Sequence, residues 1–461
     1  MAERARGIIT VEELKAKVAS GEIDTVINAF CDMQGRLLGK RVTGEFFISH
    51  CLEHGTHFCV YLLGTDMEME TPDGYRAMNW ESGYGDWQAR PDWQTLRVLP
   101  WHEKTAMVLA DVVDEERDAP VEIAPRTILR RQIERAAALG LTINAASELE
   151  FYLLTDTYEQ AHAKRYQDLA RYGWYNEDYH LLQATKAEPL YRQFRNDLSA
   201  AGVPVEFSKG EAAPGQHELN IHYADALESA DRHVLLKHGI KEIALQNDYS
   251  VTFMAKPDHT WTGSSSHIHL SAWDGDGVRN LFHDPAGSPY GMSGTMRHFL
   301  GGMVACAQEL SLFVASNVNA YKRYAVASWA PVNTVWGRDN RTCGFRVVGR
   351  GDALRIENRL PGGDTNPYLA YAACIAAGLY GIEHAIEPPA EFKGNGYRAT
   401  DEPRVPRALY EAIDALEQSA MARDAFGEEV VAHYLNMARV EQHTFDAAVT
   451  TWERERYFER G

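Results

Sequence analysis

The chain has no Cys-x-x-Cys pair, no long apolar run and no excess of positive charge, and each absence removes a class of function. Its six cysteines (Cys31, Cys51, Cys59, Cys306, Cys343 and Cys374) lack the spacing of a zinc knot or a disulfide framework. No signal-peptide pattern opens the sequence, so reduced thiols and a cytoplasmic protein are expected. The most membrane-like segment, 299–315, contains Gln308 and Glu309 and has helical periodicity, which predicts a buried helix and no membrane span. A formal net charge of −19 argues against nucleic acid and anionic membrane surfaces as partners. Internal repeats and low-complexity segments are absent too. What remains is an ordinary soluble composition, with 461 residues to supply two or three domains.

Local signals divide the chain. Thr10, with Glu13 three positions on, forms a capping box and predicts a helix over about 8–21. Strands are predicted at 25–30, 37–42, 58–63 and 105–113, with a turn at 32–35 and an aperiodic ordered loop over 71–93. The acidic stretch 111–118, closed by Pro120, reads as a solvated junction and sets domains at 1–115 and 116–461. Beyond it Pro125 opens a helix that Gly140 ends. A strand at 142–154 follows, then helices at 190–201, 230–247, 295–315 and 366–386, and two or three more after Arg404. Asp274-Gly-Asp276-Gly lacks the remaining ligand positions of a calcium loop and reads as a hairpin turn.

Three stretches alternate charge with apolar residues: Glu148-Leu149-Glu150, His267-Ile268-His269 and Arg355-Ile356-Glu357-Asn358-Arg359. In a strand, residues i and i+2 share a face, so each stretch lines one surface with ionisable groups and the other with hydrocarbon. Glu211-Ala-Ala-Pro-Gly-Gln-His-Glu218 adds two carboxylates. Burying carboxylates, imidazoles and guanidiniums together is very costly unless cations and anionic ligands neutralise them. The pattern points to metal ions, phosphate and an ATP-using enzyme.

These segments arrive in a recognisable order, followed through by Asn319-Ala-Tyr-Lys-Arg323, Asn340-Arg341-Thr and Arg359-Leu-Pro-Gly-Gly-Asp-Thr-Asn-Pro-Tyr. The chain resembles the glutamine synthetase family, in its class I bacterial form, over essentially its whole length. The resemblance implies an α+β fold: an N-terminal β-grasp domain and a C-terminal catalytic domain whose antiparallel strands form a funnel surrounded by helices. It implies a homo-oligomer, a dodecamer of two hexameric rings with active sites shared between subunits. Its cofactors would be ATP with Mg²⁺ or Mn²⁺ at two sites, a third being left open. Glu150, Glu211 and Glu218 match the family's first metal site, and Glu148, His267 and Glu357 its second. Arg323 and Arg359 match its glutamate and phosphoryl contacts, with Gly263 a backbone contact. His269, Ser271, Arg341, Arg346 and Arg355 match its nucleotide and phosphate contacts, and Tyr223 an aromatic beside the nucleotide. Arg323, Arg341 and Arg359, with Glu211, are the candidate catalytic groups.

The second substrate is where this sequence departs from the family. Ammonia-using members carry an acidic Asp-Gly-Ser-Ser motif; the matching stretch here runs His57-Phe58-Cys59-Val60-Tyr61-Leu62-Leu63, without an acid. Their flap glutamate is replaced by Trp329, and Thr262 stands where an asparagine is usual. Both losses of carboxylate remove attraction for ammonium and add carbon surface. Burying one methylene contributes roughly 0.8 kcal/mol, so a pocket of Cys59, Tyr61, Tyr179 and Trp329 favours an amine with a carbon body. The expected activity is ligation of L-glutamate to an organic primary amine such as ethanolamine, an alkylamine or an arylamine. Glu211, with Tyr179 assisting, is the expected proton acceptor. Two alternatives are a glutamine synthetase using ammonia and a non-catalytic relative kept as a structural or binding protein.

Overall fold

A computed structural model describes residues 6–461, so the first five residues, on which the absence of a leader was partly read, lie outside it. The capping box holds: Thr10 and Glu13 cap the helix Val11–Ala19 reciprocally. The N-terminal part is a seven-stranded sheet of β1 (Thr25–Cys31), β2 (Leu37–Thr43), β3 (Thr56–Cys59), β4 (Asp86–Pro91), β5 (Arg97–Val98), β6 (Thr105–Asp114) and β7 (Ala119–Pro120), with order β2-β1-β6-β4-β3. β5 and β7 both pair with β6.

Three expectations fail here for physical reasons. The strand expected over 58–63 ends at Cys59, where its ladder to β4 runs out at Asp86; residues Val60–Leu63 turn into a 3₁₀ helix instead. The stretch 71–93 is not all loop, because β4 lies within it; long-range pairing made a strand that periodicity did not announce. The acidic stretch is no solvated linker. Asp111 lies in β6 and binds the Arg126 Nη1 at 2.5 Å and the Arg130 Nη2 at 2.9 Å. The two parts of the chain also share a core, in which Phe30, Met33 and Phe58 pack with Ile128, Phe313 and Tyr434. Asn366 donates across the join to the carbonyls of Asp32 and Met33.

The C-terminal part is built on a nine-stranded sheet of β8 (Leu141–Leu154), β9 (Val205–Gly210), β10 (Gln216–Ile221), β11 (Ala224–Asp225), β12 (Ser250–Thr252), β13 (Ser266–Asp274), β14 (Trp336–Arg338), β15 (Phe345–Val348) and β16 (Arg355–Asn358). Its order is β14-β15-β16-β13-β8-β10-β9, antiparallel except between β14 and β15. The alternation read from sequence is realised. Leu149, Phe151 and Leu219 turn to one side and are fully buried against Phe194, Leu198 and Ile240 of helices Glu188–Ala200 and Ala226–Gln246. Each such burial contributes about 1.5–3 kcal/mol, which fixes the register and so commits the charged partners to the other face.

Helix Pro125–Ala138 begins at its proline as expected. The predicted helix over 295–315 is two pieces, Gly294–Cys306 and Ser311–Val314, and the chain after Arg404 forms four helices rather than two or three. At Asp274 the turn is confirmed, its carboxylate accepting from the backbone N–H of Val278 and Arg279. The six cysteines are free, and no helix of the described residues is long and apolar enough to cross a membrane.

Candidate active site

Strand register lines up the charged face in rows. Arg346 of β15 lies opposite Glu357 of β16, which lies opposite His269 of β13. One step along, His267 of β13 faces Glu148 of β8, which faces Asn220 of β10. In the third row Glu150 of β8 faces Glu218 of β10, which faces Lys209 of β9. Partners in an antiparallel ladder point to the same side, so three rows converge on one surface.

A cavity of roughly 400 Å³ covers this surface, lined by Glu148, Glu150, Glu211, Glu218 and His267, by Arg323, Arg341, Arg346 and Arg359, and by Thr262, Gly263, Asp178, Tyr179, Lys209 and Trp329. Oxygens of Glu150, Glu211 and Glu218 lie within 4.8 Å of one another, as do ligand atoms of Glu148, His269 and Glu357. His267 also fits the second set: its Nδ1 is 3.1 Å from Glu148 Oε2 and 3.5 Å from Glu357 Oε1. Both imidazoles therefore touch Glu148 and lie near Glu357, and the resemblance, not the distances, favours His267 as ligand.

The electrostatics of these groups fit a cation. Burial, then the nearby Glu211, pushes Glu150 up to about 7. Burial and the charges of Glu148 and Glu211 push Glu218 well above the carboxylate range. Burial opposes ionisation of Glu148 as well, but His269 and His267 hold it well below that range. For Glu357 burial is likewise overcome, chiefly by Arg359, whose Nη1 binds it at 2.5 Å, and its value falls to about 2. Burial and Arg359 lower His267 to about 4, leaving its imidazole neutral at physiological pH. Neutral imidazole and clustered carboxylates suit a hard divalent cation, which relieves the repulsion that the protein alone leaves.

A second cavity, roughly 520 Å³, opens beside the first and shares Glu148 and Phe207 with it. Tyr223, His269, Ser271 and Arg355 line it. Arg355 Nε donates to His269 Nδ1 at 3.1 Å, and His269 Nε2 contacts Glu148 at 2.8 Å, so one imidazole bridges the two chambers. The two cavities thus meet at the Glu148 carboxylate and the Phe207 ring.

The description "Glutamine synthetase, catalytic domain" matches residues 122–457. This chain belongs to the glutamine synthetase family. It is 52% identical over 450 residues to a γ-glutamylethanolamide synthetase, GlnA4, of Streptomyces coelicolor, covering 98% of this chain and 96% of that one. It is 39% identical over 460 residues, 99% of each, to a glutamate–isopropylamine ligase of a Pseudomonas species. A solved structure of GmaS with ADP superposes with a TM-score of 0.84 at 29% identity, over 97% of this chain and 99% of that one.

Within this glutamine synthetase fold, the residues named from sequence separate into three groups. The six metal-type ligands, Arg323, Arg341, Arg346, Arg359, Gly263, Tyr179 and Trp329 gather in or beside the first cavity. Tyr223, His269, Ser271 and Arg355 gather in the second. Cys59 and Tyr61 line neither. They sit at the end of β3, where the Cys59 thiol donates to the Tyr84 carbonyl at 3.1 Å and the Tyr61 ring packs edge-on against Tyr84.

Sequence reasoning missed Lys209, Asp178 and Ser265. Lys209 pairs directly with Glu211 and lies over the Tyr179 ring; burial would lower its value, but Glu218 and Glu211 raise it. Its signal was the Lys209-Gly210-Glu211 alternation, the same one that exposed the other ligands. Ser265 donates its N–H (2.8 Å) and its hydroxyl to Glu150, orienting that carboxylate.

Proposed function

We propose that the protein is an ATP-dependent ligase that joins the γ-carboxylate of L-glutamate to a small organic primary amine through γ-glutamyl phosphate. The observation that carries this reading is one cavity on which both sets of metal-type ligands converge with four arginines and, in place of a carboxylate, Trp329. The names of the two relatives, an ethanolamide synthetase and an isopropylamine ligase, agree in taking amines that have a carbon body.

Glu150, Glu211 and Glu218 would hold one Mg²⁺ or Mn²⁺, and Glu148, His267 and Glu357 a second. Bound there, the cations supply Lewis-acid neutralisation of the phosphate oxygens during phosphoryl transfer. The second cavity suits ATP, with Tyr223 beside the base and His269, Ser271 and Arg355 along the nucleotide. Arg341 and Arg346 would meet the phosphates where the chambers join. Arg323 is preset for glutamate: its guanidinium is fixed by the Leu360 and Arg359 carbonyls at 2.8 and 3.0 Å. Arg359 keeps a buried Nε–H without a protein partner, a donor in reserve for a phosphoryl oxygen. The γ-carboxylate attacks the terminal phosphorus, ADP leaves, and the amine then displaces phosphate from the acyl carbon.

We further propose domains at 1–115 and 116–461, the first a β-grasp unit, and a dodecamer of two hexameric rings working in the cytoplasm. Sharing of sites between subunits accounts for Cys59 and Tyr61 standing apart from their own chain's cavities. Phosphate release from ATP and glutamate, with ammonium, ethanolamine, isopropylamine, aniline or putrescine supplied in turn, tests the function. Release with ethanolamine or isopropylamine well above ammonium supports it. Release with ammonium alone selects a glutamine synthetase, and none with any amine a non-catalytic relative.

A further inference from the structure

We propose that Asp178 is the catalytic carboxylate that takes the proton from the incoming amine. The inference rests on the ligase reading and deepens its least defined step. An alkylamine arrives as an ammonium ion at neutral pH and attacks only after it has lost a proton. Five carboxylates line the first cavity, and four of them, Glu148, Glu150, Glu211 and Glu218, belong to the two metal-type sets. Glu211, the acceptor that the sequence favours, has the Lys209 ammonium in direct contact as well. Asp178 is the remaining one.

The loop that carries Asp178 is clamped on both sides of it. Glu177 is buried, and its Oε1 accepts from the Gly215 N–H at 2.6 Å; the Tyr179 N–H donates to the Gly210 carbonyl at 3.2 Å. Gly210 and Gly215 bracket the Glu211 segment, so the two clamps tie Asp178 to the loop of a metal-type ligand. The approach is close enough that a Cβ on Gly210 would meet the Glu177 carbonyl oxygen at 2.5 Å. Asp178 itself is half-exposed, with Lys209 Nζ 3.8 Å away and also 4.5 Å from the Tyr179 ring.

Backbone strain marks the same rim. Tyr179 and Trp329 both line the cavity with positive φ, +55° and +65°, where bulky residues seldom sit. Such conformations persist only where surrounding contacts impose them, and they concentrate at binding and catalytic sites. Tyr179 follows Asp178 directly, so the strained turn lies beside the carboxylate that lines the cavity. An ammonium entering at this rim meets the aromatic surface of Tyr179 and Trp329 and one carboxylate without a metal-type set.

In the transfer, R–NH₃⁺ gives one proton to the Asp178 carboxylate. The free amine forms the C–N bond to the γ-carbon, the C–O bond to the phosphoryl group breaks, and the nitrogen's second proton leaves with the departing phosphate. Asp178 returns its proton to solvent before the next turnover.

The test compares two nucleophiles. Hydroxylamine is largely unprotonated at neutral pH and needs no acceptor for a first proton, whereas ethanolamine does. For Asp178→Asn, kcat/KM for ethanolamine should fall about 100-fold or more and partly recover as pH rises and free amine accumulates. Turnover with hydroxylamine should stay within about threefold of the parent, and Asp178→Glu should restore much of the ethanolamine rate. Equal losses with both nucleophiles, or unchanged ethanolamine turnover, would overturn the proposal. A parent protein that turns over neither nucleophile overturns the ligase reading itself, and this inference with it.

Discussion

Replacing Glu150 with glutamine should make the cation-free protein more stable at alkaline pH while removing a metal ligand. Glu150 is buried, and burial together with the Glu211 charge lifts it from an ordinary 4.5 to about 7. The folded state thus binds its proton more tightly than the unfolded chain does. The stability tied to that proton is fully present below about 4.5 and is lost as pH rises through about 7. Each pH unit between the two values is worth about 1.4 kcal/mol, so at pH 8 the ionised carboxylate costs the cation-free protein roughly 3 kcal/mol. A glutamine side chain at this position cannot ionise, and its oxygen still accepts from Ser265. Urea unfolding in EDTA, followed by tryptophan fluorescence, should place Glu150→Gln above the parent by up to about 3 kcal/mol at pH 8 and near it at pH 4.5. In Mg²⁺ at a thousandfold excess over Kd the order should reverse, because the parent gains about 4.1 kcal/mol and the variant has lost a ligand. A variant less stable than the parent at pH 8 in EDTA, or a gap independent of pH, would refute the reasoning.

Further outcomes follow from the same geometry. Arg359→Met removes the 2.5 Å partner of the fully buried Glu357 but leaves Arg346 Nη1 at 2.9 Å, and should cost about 1.5–3 kcal/mol in denaturant unfolding, with the amide-forming activity lost. Leu219→Ala acts from the opposite face of β10: a fully buried leucine should cost about 2–5 kcal/mol, measured by urea midpoint, and loosen metal binding through the neighbouring Glu218. Trp329→Glu returns a carboxylate to the cavity and should raise the ratio of kcat/KM for ammonium over isopropylamine about tenfold or more, measured by phosphate release. Dialysis against EDTA should abolish turnover, and Mg²⁺ or Mn²⁺ should restore it.

Much of this site was legible because a strand has a period of two. Spacing of i,i+2 put Glu148 with Glu150, His267 with His269 and Glu357 with Arg359 on one face of each strand, buried Leu149 and Ile268 held that register, and the family resemblance joined the three strands. Lys209 has the same spacing from Glu211 but reads as an exposed strand lysine until its ladder partner proves to be Glu218. Asp178 had no such signal: its loop lacks periodicity, and its position depends on the long-range clamps to Gly210 and Gly215. β4 was hidden likewise, since its pairing with β3 and β6 is set by tertiary contacts. The solvated-linker role given to 111–118 failed because the charge of Asp111 reveals nothing of Arg126, fifteen residues on.

The most direct test of the account follows the oxygen atoms of glutamate. L-Glutamate labelled with ¹⁸O in its γ-carboxylate, incubated with ATP, Mg²⁺ and ethanolamine, should yield γ-glutamylethanolamide and inorganic phosphate carrying one ¹⁸O per amide formed. Phosphate free of label, or labelled phosphate without any amide product, would contradict it.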